Sequence, residues 1–356
     1  MSAGTESGNR SQPALFRAQA EACARLGSPM YAELLVHLAD DLDAAGVTVR
    51  VLRGHEDDPG PSGLALRLLG SVHRLVLSGA APELAPFYPS VGGAWAGAGV
   101  TAVLDLLDRR GDEVRPLLDH APQTNEVGRA AALLGGLLRT VQRWPLPVRL
   151  FEIGASAGLN LRADRFRCTD DRGRAWGDPD SPVVLEGAWE GAPVPLDRSL
   201  SILGRGGCDL HPVDVATEDG RLTLTSYVWP DMAARHARLA GAVAIARREP
   251  VGLAHTDAAT YVDGLALEEG RTTVVWHSVM WQYLPRADQE RITTRLADLG
   301  ATATDDAPLV HLFAEPTRRT PEDEHRFWVC VEAWPGGGTR EFLGQMAPHG
   351  VPVVWE

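Results

Sequence analysis

Apolar residues in the first part of the chain recur every three or four positions, the spacing that lines one face of a helix. Tyr31, Leu34, Leu35, Leu38 and Leu42 form one such stripe, and Leu68, Leu69, Val72, Leu75 and Val76 form another. Val100, Val103, Leu104 and Leu107 repeat the pattern, as do Leu133, Leu134, Leu137, Leu138 and Val141. Gly- and Pro-containing breaks at His55 to Gly63, Ala81 to Gly99 and His120 to Gln123 separate these stripes. A helical domain over residues 14–146 is expected, preceded by a polar, disordered tail over residues 1–13. Trp144-Pro145-Leu146-Pro147 closes it, because prolines spaced by one residue cannot continue a helix.

Past this point short apolar runs alternate with helical stretches, the pattern of a parallel sheet with crossover helices. Strands are expected at Val148 to Ile153, Ser199 to Leu203, Val251 to His255, Thr272 to Trp276 and Leu309 to Phe313. Helices are expected at Gly158 to Arg165, Pro230 to Arg248 and Ala287 to Leu299. Residues 166–199 are rich in Gly, Pro, Asp and Trp and read as an inserted hairpin or loop region. The expected fold is α/β over residues 147–356, preceded by an all-helical domain.

Composition narrows the chemistry. The chain has 356 residues, 44% of them hydrophobic, enough for two cores. It contains no lysine, so all 34 basic residues are arginine. That excludes a P-loop, a pyridoxal phosphate Schiff base and a lysine-dependent aldolase. A net charge of −13 argues against extended contacts with nucleic acid. Cys23, Cys168, Cys208 and Cys330 form no C-x-x-C pair, so neither a disulfide framework nor zinc is indicated. His55-Glu56-Asp57-Asp58 lacks metal-ligand spacing, and no metal is expected. With no secretory signal and no apolar run near ~18 residues, the expectation is a cytoplasmic protein away from membranes. The sequence does not specify an oligomeric state.

One segment, Leu150 to Leu161, fits two chemistries. As Glu152-x-Gly154-x-Ser156-x-Gly158 it reads as a strand-to-helix loop whose glycines let a ligand approach the backbone. As Gly154-x-Ser156-x-Gly158 it spells a hydrolase nucleophile elbow, with Ser156 as nucleophile and Asp257 with His311 or His325 completing a triad. Acidic or polar turns follow the later strands. Asp209 or Asp214 after the second strand could grip a ribose diol, or simply cap a turn. Asp257 and Ala258 after the third could meet an adenine amine, though Asp257 also suits a helix cap. His277 and Ser278 follow the fourth. The helical stretch before the elbow, and the lack of an HGGG-type segment, favour the cofactor loop over the hydrolase.

These features together resemble Rossmann-like S-adenosylmethionine-dependent methyltransferases. From about residue 12 onward the chain also looks like the bacterial family DUF2332, a helical region followed by a methyltransferase-like domain. That resemblance is carried by Tyr88-Pro89-Ser90-Val91-Gly92-Gly93, Gln123 to Arg129, Glu152 to Leu161, Gly207 to Asp214, Trp229-Pro230-Asp231 and His277 to Leu284. It implies a Rossmann-like methyltransferase sheet in which Glu152, Gly154, Ser156, Gly158, Asp209, Asp257, Ala258 and Ser278 hold S-adenosylmethionine. Ser156 stands where such loops usually carry glycine. The same resemblance places Tyr88, Asn125, Glu126 and Arg129 over a small-molecule acceptor. His277 is the first candidate general base, with Asp231 or Glu126 as substitutes. A ligand-binding or regulatory protein that keeps the fold without its chemistry is the second function class.

Overall fold

The structure, a computed structural model, describes residues 11–58, 60–119 and 122–356. Most of the expected disordered tail, residues 1–10, lies outside the described residues, and Gln12 and Pro13 already belong to the first helix. The early stripes fold as α1 (Gln12–Arg25), α2 (Pro29–Asp43), α3 (Val47–Val51), α4 (Leu64–Leu77) and α5 (Ala98–Val114). Ser28 shows why α2 begins where it does. Its Oγ accepts the Tyr31 amide at 3.3 Å and Pro29 opens the first turn.

Then come α6 (Ala130–Arg143), β1 (Val148–Ile153), β2 (Arg167–Asp170), β3 (Ala175–Trp176), β4 (Val184–Gly191), β5 (Ile202–Asp209), α7 (Glu218–Ser226) and α8 (Ala233–Arg248). The chain continues through β6 (Leu253–His255), α9 (Ala258–Asp263), β7 (Thr272–Ser278), α10 (Arg286–Ala301), β8 (Leu309–Thr317), β9 (Arg326–Trp334), β10 (Glu341–Met346) and β11 (Val353–Trp355). The expected helix at Gly158 to Arg165 is a tighter 3-10 segment, Leu159–Arg165. The strand expected at Ser199 to Leu203 lies later, because Gly206 and Gly207 pair with Phe151 and Glu152 of β1. Ladder pairing overrides the weak strand preference of glycine.

The chain forms two compact units, Met1–Thr124 with Glu218–His236, and Asn125–Thr217 with Ala237–Glu356. This division differs from the boundary expected after Leu146. α6 belongs to the second unit and packs its apolar face on the sheet. In the opposite sense, α7 and Trp229 belong with the first unit, whose core includes Phe16, Tyr31, Leu68, Val103 and Trp229.

The second unit is a mixed α/β structure around a large, mostly parallel sheet. Its order is β3-β2-β4-β11-β10-β9-β8-β7-β1-β5-β6. Strands β6, β5, β1, β7 and β8 run parallel, whereas β9 is antiparallel to both β8 and β10. The region expected as an insertion supplies β2, β3 and β4 to one edge. α6 covers one face, where its backbone comes so close that a Cβ on Gly136 would lie 2.4 Å from Leu312 Cδ2. α9 and α10 cover the other face over Ile153, Val275 and Leu309. From β1 the chain adds β5 and β6 on one side, then returns to β7 and β8 on the other. The resulting crevice outside the carboxyl end of β1 is where open parallel sheets accept ligands. No described helix is long and apolar enough to cross a membrane.

Candidate functional site

The turn leaving β1 occupies that crevice. Gly154, Ser156 and Gly158 all adopt left-handed backbone, with φ of 67°, 53° and 64°. Glycine does this at little cost, whereas Ser156 does it against its own Cβ. The surroundings hold it there. The Ser156 amide donates to Asp209 Oδ2 at 2.8 Å, and the Ser156 carbonyl accepts from the Val213 amide at 3.0 Å. Asp209 Oδ1 accepts the His211 amide at 2.9 Å, so this carboxylate ties the β1 turn to the end of β5. Beyond the turn, Arg162 is 3% exposed, and its Nη1 donates back to the Gly158 carbonyl at 2.7 Å.

Glu152 is the electrostatic centre of this end of the sheet. It is 3% exposed, and its Oε2 is buried without a hydrogen-bond partner among the described residues. Its β7 neighbour Trp276 brings a buried indole N–H near this carboxyl without closing a full hydrogen bond on it. Burial pushes the Glu152 carboxyl up to about 8, and the negative charge of Asp209 adds to the rise. The Trp276 indole and the cations of Arg162 and Arg129 pull the other way without prevailing. Glu152 is therefore mostly protonated at neutral pH, a desolvated acid ready to ionise when a donor-bearing or cationic group arrives.

The segment around Asn125 belongs to this same unit and wraps the turn. Asn125 Oδ1 accepts the Leu159 amide at 2.8 Å, and the Glu126 carbonyl accepts Asn160 Nδ2 at 3.2 Å. Glu126 Oε1 accepts the Gly128 amide at 3.2 Å. Arg129 Nη1 lies 3.5 Å from the Ser278 carbonyl at the end of β7. Met280 packs on the turn, since a Cβ on Gly154 would meet its side chain at 3.0 Å. Beside the turn opens a cleft of about 450 Å³, lined by Ala157, Arg162, Val213, Asp214, Val251 and Leu253. Asp257 is the N-cap of α9, its Oδ1 accepting the Thr260 amide at 2.7 Å, and Ala258 is buried behind it. The Thr260 backbone bond holds the Asp257 carboxyl below its usual range. Among the sequence candidates, the structure therefore gathers Glu152, Gly154, Ser156, Gly158, Asp209, Asn125, Glu126, Arg129 and Ser278 around one turn.

Other candidates are engaged elsewhere. His277 is 1% exposed, with Nδ1 2.8 Å from Glu315 Oε1 and Nε2 3.0 Å from His311 Nε2. Both ring nitrogens have partners, which does not suit a base that must reach a ligand. Asp231, in the first unit, accepts Ser28 Oγ at 2.6 Å and the Met30 amide at 3.0 Å, so it fastens the start of α2. Tyr88 is a fully buried core group of that unit, stacked on His73 at 5.7 Å. The triad imagined for Ser156 is not assembled. His311 Nδ1 binds Glu332 at 3.0 Å, and His325 Nδ1 accepts from Arg318 Nε at 3.1 Å. Neither histidine is bonded to Asp257. No described group of three or more His, Cys, Asp or Glu side chains is arranged to hold a metal.

Sequence reading missed the row formed by Glu315, His277, His311, Glu332 and Arg340. A signal existed: His311 and Glu315 interrupt the buried apolar strand β8 four residues apart, hence on one face. Buried polar groups at that spacing need partners on neighbouring strands.

Fold and site together define an α/β protein with a ligand-type crevice at the carboxyl ends of its parallel strands. Over residues 13–355 the chain matches the model of the family DUF2332, described as an uncharacterized protein conserved in bacteria, and it belongs to that family. No curated protein and no solved structure matches it.

Proposed function

We propose that the second unit is a Rossmann-like, S-adenosylmethionine-dependent methyltransferase domain acting on a small-molecule acceptor. The observation that carries this reading is the Glu152 carboxyl, buried with an unpartnered Oε2 at the carboxyl end of β1, where the strand order reverses. A buried acid held up at about 8 is stabilised by a ligand that brings donors or positive charge, and S-adenosylmethionine carries an ammonium. When bound, the cofactor supplies an electrophilic methyl group on a sulfonium.

The chain's own residues would do the rest. Glu152 accepts the donors of the cofactor's amino-acid end. Gly154, Ser156 and Gly158 bring backbone close to it, and Asp209 keeps Ser156 in its left-handed conformation. Asp257, Ala258 and Ser278 border the crevice at the ends of β6 and β7. Asn125, Glu126 and Arg129 cover the turn, and Glu126 is the candidate base among them. Methyl transfer depends chiefly on alignment, which such a fixed turn supplies.

A second reading, a binding protein without chemistry, is favoured by two observations. Both oxygens of Asp209 already accept backbone amides, and both nitrogens of His277 are engaged. Calorimetric titration with S-adenosylmethionine and S-adenosylhomocysteine tests the first reading, which predicts binding that weakens at least tenfold in Glu152→Ala. No binding to folded protein overturns it, and binding without turnover on any acceptor favours the second reading.

A further inference from the structure

Four ionisable side chains of the second unit form a row across three neighbouring strands, His277, His311 and Glu315 buried and Glu332 partly so. Glu315 and His311 stand on β8, His277 on β7 and Glu332 on β9. The gaps are 2.8 Å from Glu315 Oε1 to His277 Nδ1, 3.0 Å between the two Nε2 atoms, and 3.0 Å from His311 Nδ1 to Glu332 Oε2. Arg340 closes the outer end, its Nε 2.9 Å from Glu332 Oε1. No described group of three or more His, Cys, Asp or Glu side chains is arranged to hold a metal, and the 3.0 Å central gap is that of a hydrogen bond.

Donor and acceptor rules then fix the row. Each of the three gaps must contain one hydrogen, because two facing lone pairs at these distances repel. Two neutral imidazoles provide two hydrogens, so the row carries one more. Glu332 is held low, at about 2, because its bonds to His311 and Arg340 outweigh the desolvation that would raise it. Burial lowers His311 to about 4, so it stays neutral and gives its one hydrogen to Glu332 through Nδ1. His311 Nε2 is then an acceptor, and His277 must donate to it through its own Nε2. The remaining hydrogen lies between His277 Nδ1 and Glu315 Oε1. Rings of Trp281 and Phe313 stack on His277 at 5.0 and 5.3 Å and fix the plane of the imidazole.

Glu315 Oε1 does more than close this row. It accepts the Met280 amide at 3.0 Å and lies 3.3 Å from the Trp281 amide, in the turn whose Met280 rests on Gly154. Val279, just before it, is left-handed at φ 52°. We propose that the extra proton shared by His277 and Glu315 locks the Met280–Trp281 turn against the β1 turn, making His277 a positioning residue instead of a general base. Removing that proton leaves a lone pair of His277 facing an oxygen or its partner nitrogen, and one bond of the row must open. The groups facing His277 are Glu315 and His311 directly, with Glu332 and Arg340 beyond them.

The test uses the ligand-free full chain, so its result stands apart from the cofactor proposal. Long-range nitrogen–proton correlation of the histidine rings should give His277 two slowly exchanging N–H signals at pH 7 and His311 only one, at Nδ1. On raising pH, the Met280 and Trp281 backbone amides should shift together with the loss of the second His277 signal. Glu315→Gln should leave His277 with one N–H and speed amide exchange at Met280 and Trp281 at least about tenfold, the effect of losing a charge-assisted bond. A single N–H on His277 at pH 7 overturns the assignment. Turn amides that do not move when the second His277 N–H is lost overturn the lock, and both readings come from the wild-type chain even if the variant does not fold.

Discussion

Replacing Glu152 with glutamine removes an ionisable group while keeping its size, and the structure gives the result a sign. Folding raises this carboxyl from its ordinary 4.5 to about 8. Between those values the folded chain binds a proton that the unfolded chain has released, so this group's contribution is favourable at low pH and is lost as pH rises. At about 1.4 kcal/mol per pH unit, the full interval corresponds to roughly 5 kcal/mol, with no discount for solvent at a site so deeply buried. His311 and His73, lowered by burial to about 4 and about 3, act in the opposite sense between those values and the ordinary 6.5. The raw pH profile of the wild type therefore mixes signs, and the difference between wild type and Glu152→Gln isolates the carboxyl. Urea unfolding followed by tryptophan fluorescence should show the variant gaining several kcal/mol over wild type on going from pH 5 to pH 8.5. A difference that stays constant within about 0.5 kcal/mol would refute the account of Glu152 as a desolvated, mostly protonated acid. Cofactor affinity should run the other way, rising from pH 6 to pH 8 as ionisation of Glu152 becomes easier. Calorimetry in buffers of different ionisation enthalpy should then detect close to one proton released per cofactor bound at pH 7.

Two further substitutions probe the scaffold. Ser156→Gly relieves left-handed strain at φ 53° at the expense of a more flexible unfolded chain, and the net gain should be about 1 kcal/mol in a thermal unfolding series; a loss above that size would mean the serine side chain holds the turn together. Gly136→Ala should destabilise by about 1–3 kcal/mol despite the better helix propensity of alanine, because the new Cβ would lie 2.4 Å from Leu312 Cδ2, and a stabilised variant would show that α6 is free to move off the sheet.

Much of the second unit was legible because local and global signals agree there. Val148 to Ile153 is both an apolar run and a central strand, and the left-handed turn after it requires the glycines that stand at Gly154 and Gly158. Disagreement arose where tertiary contacts override local preference. Gly206 and Gly207 look like a turn, yet pairing with β1 draws them into β5. α6 carries the same stripe as the earlier helices, and nothing in its periodicity says that it packs on a sheet. Asp231 and His277 illustrate the same limit at the site. A carboxylate or imidazole in a suggestive motif reads as chemistry until its partners are known, and those partners, Ser28 and His311, are 203 and 34 residues away.

The division of the chain has a consequence during synthesis. Residues 1–124 contain most of the first unit's core, but Trp229 and α7 arrive only after β1 to β5 have been made. A ribosome-bound chain must hold an open apolar surface on its early helices while the first sheet strands emerge. Folding of the two units is therefore interleaved in time, and an isolated fragment ending near residue 146 would keep that surface exposed and be prone to aggregate.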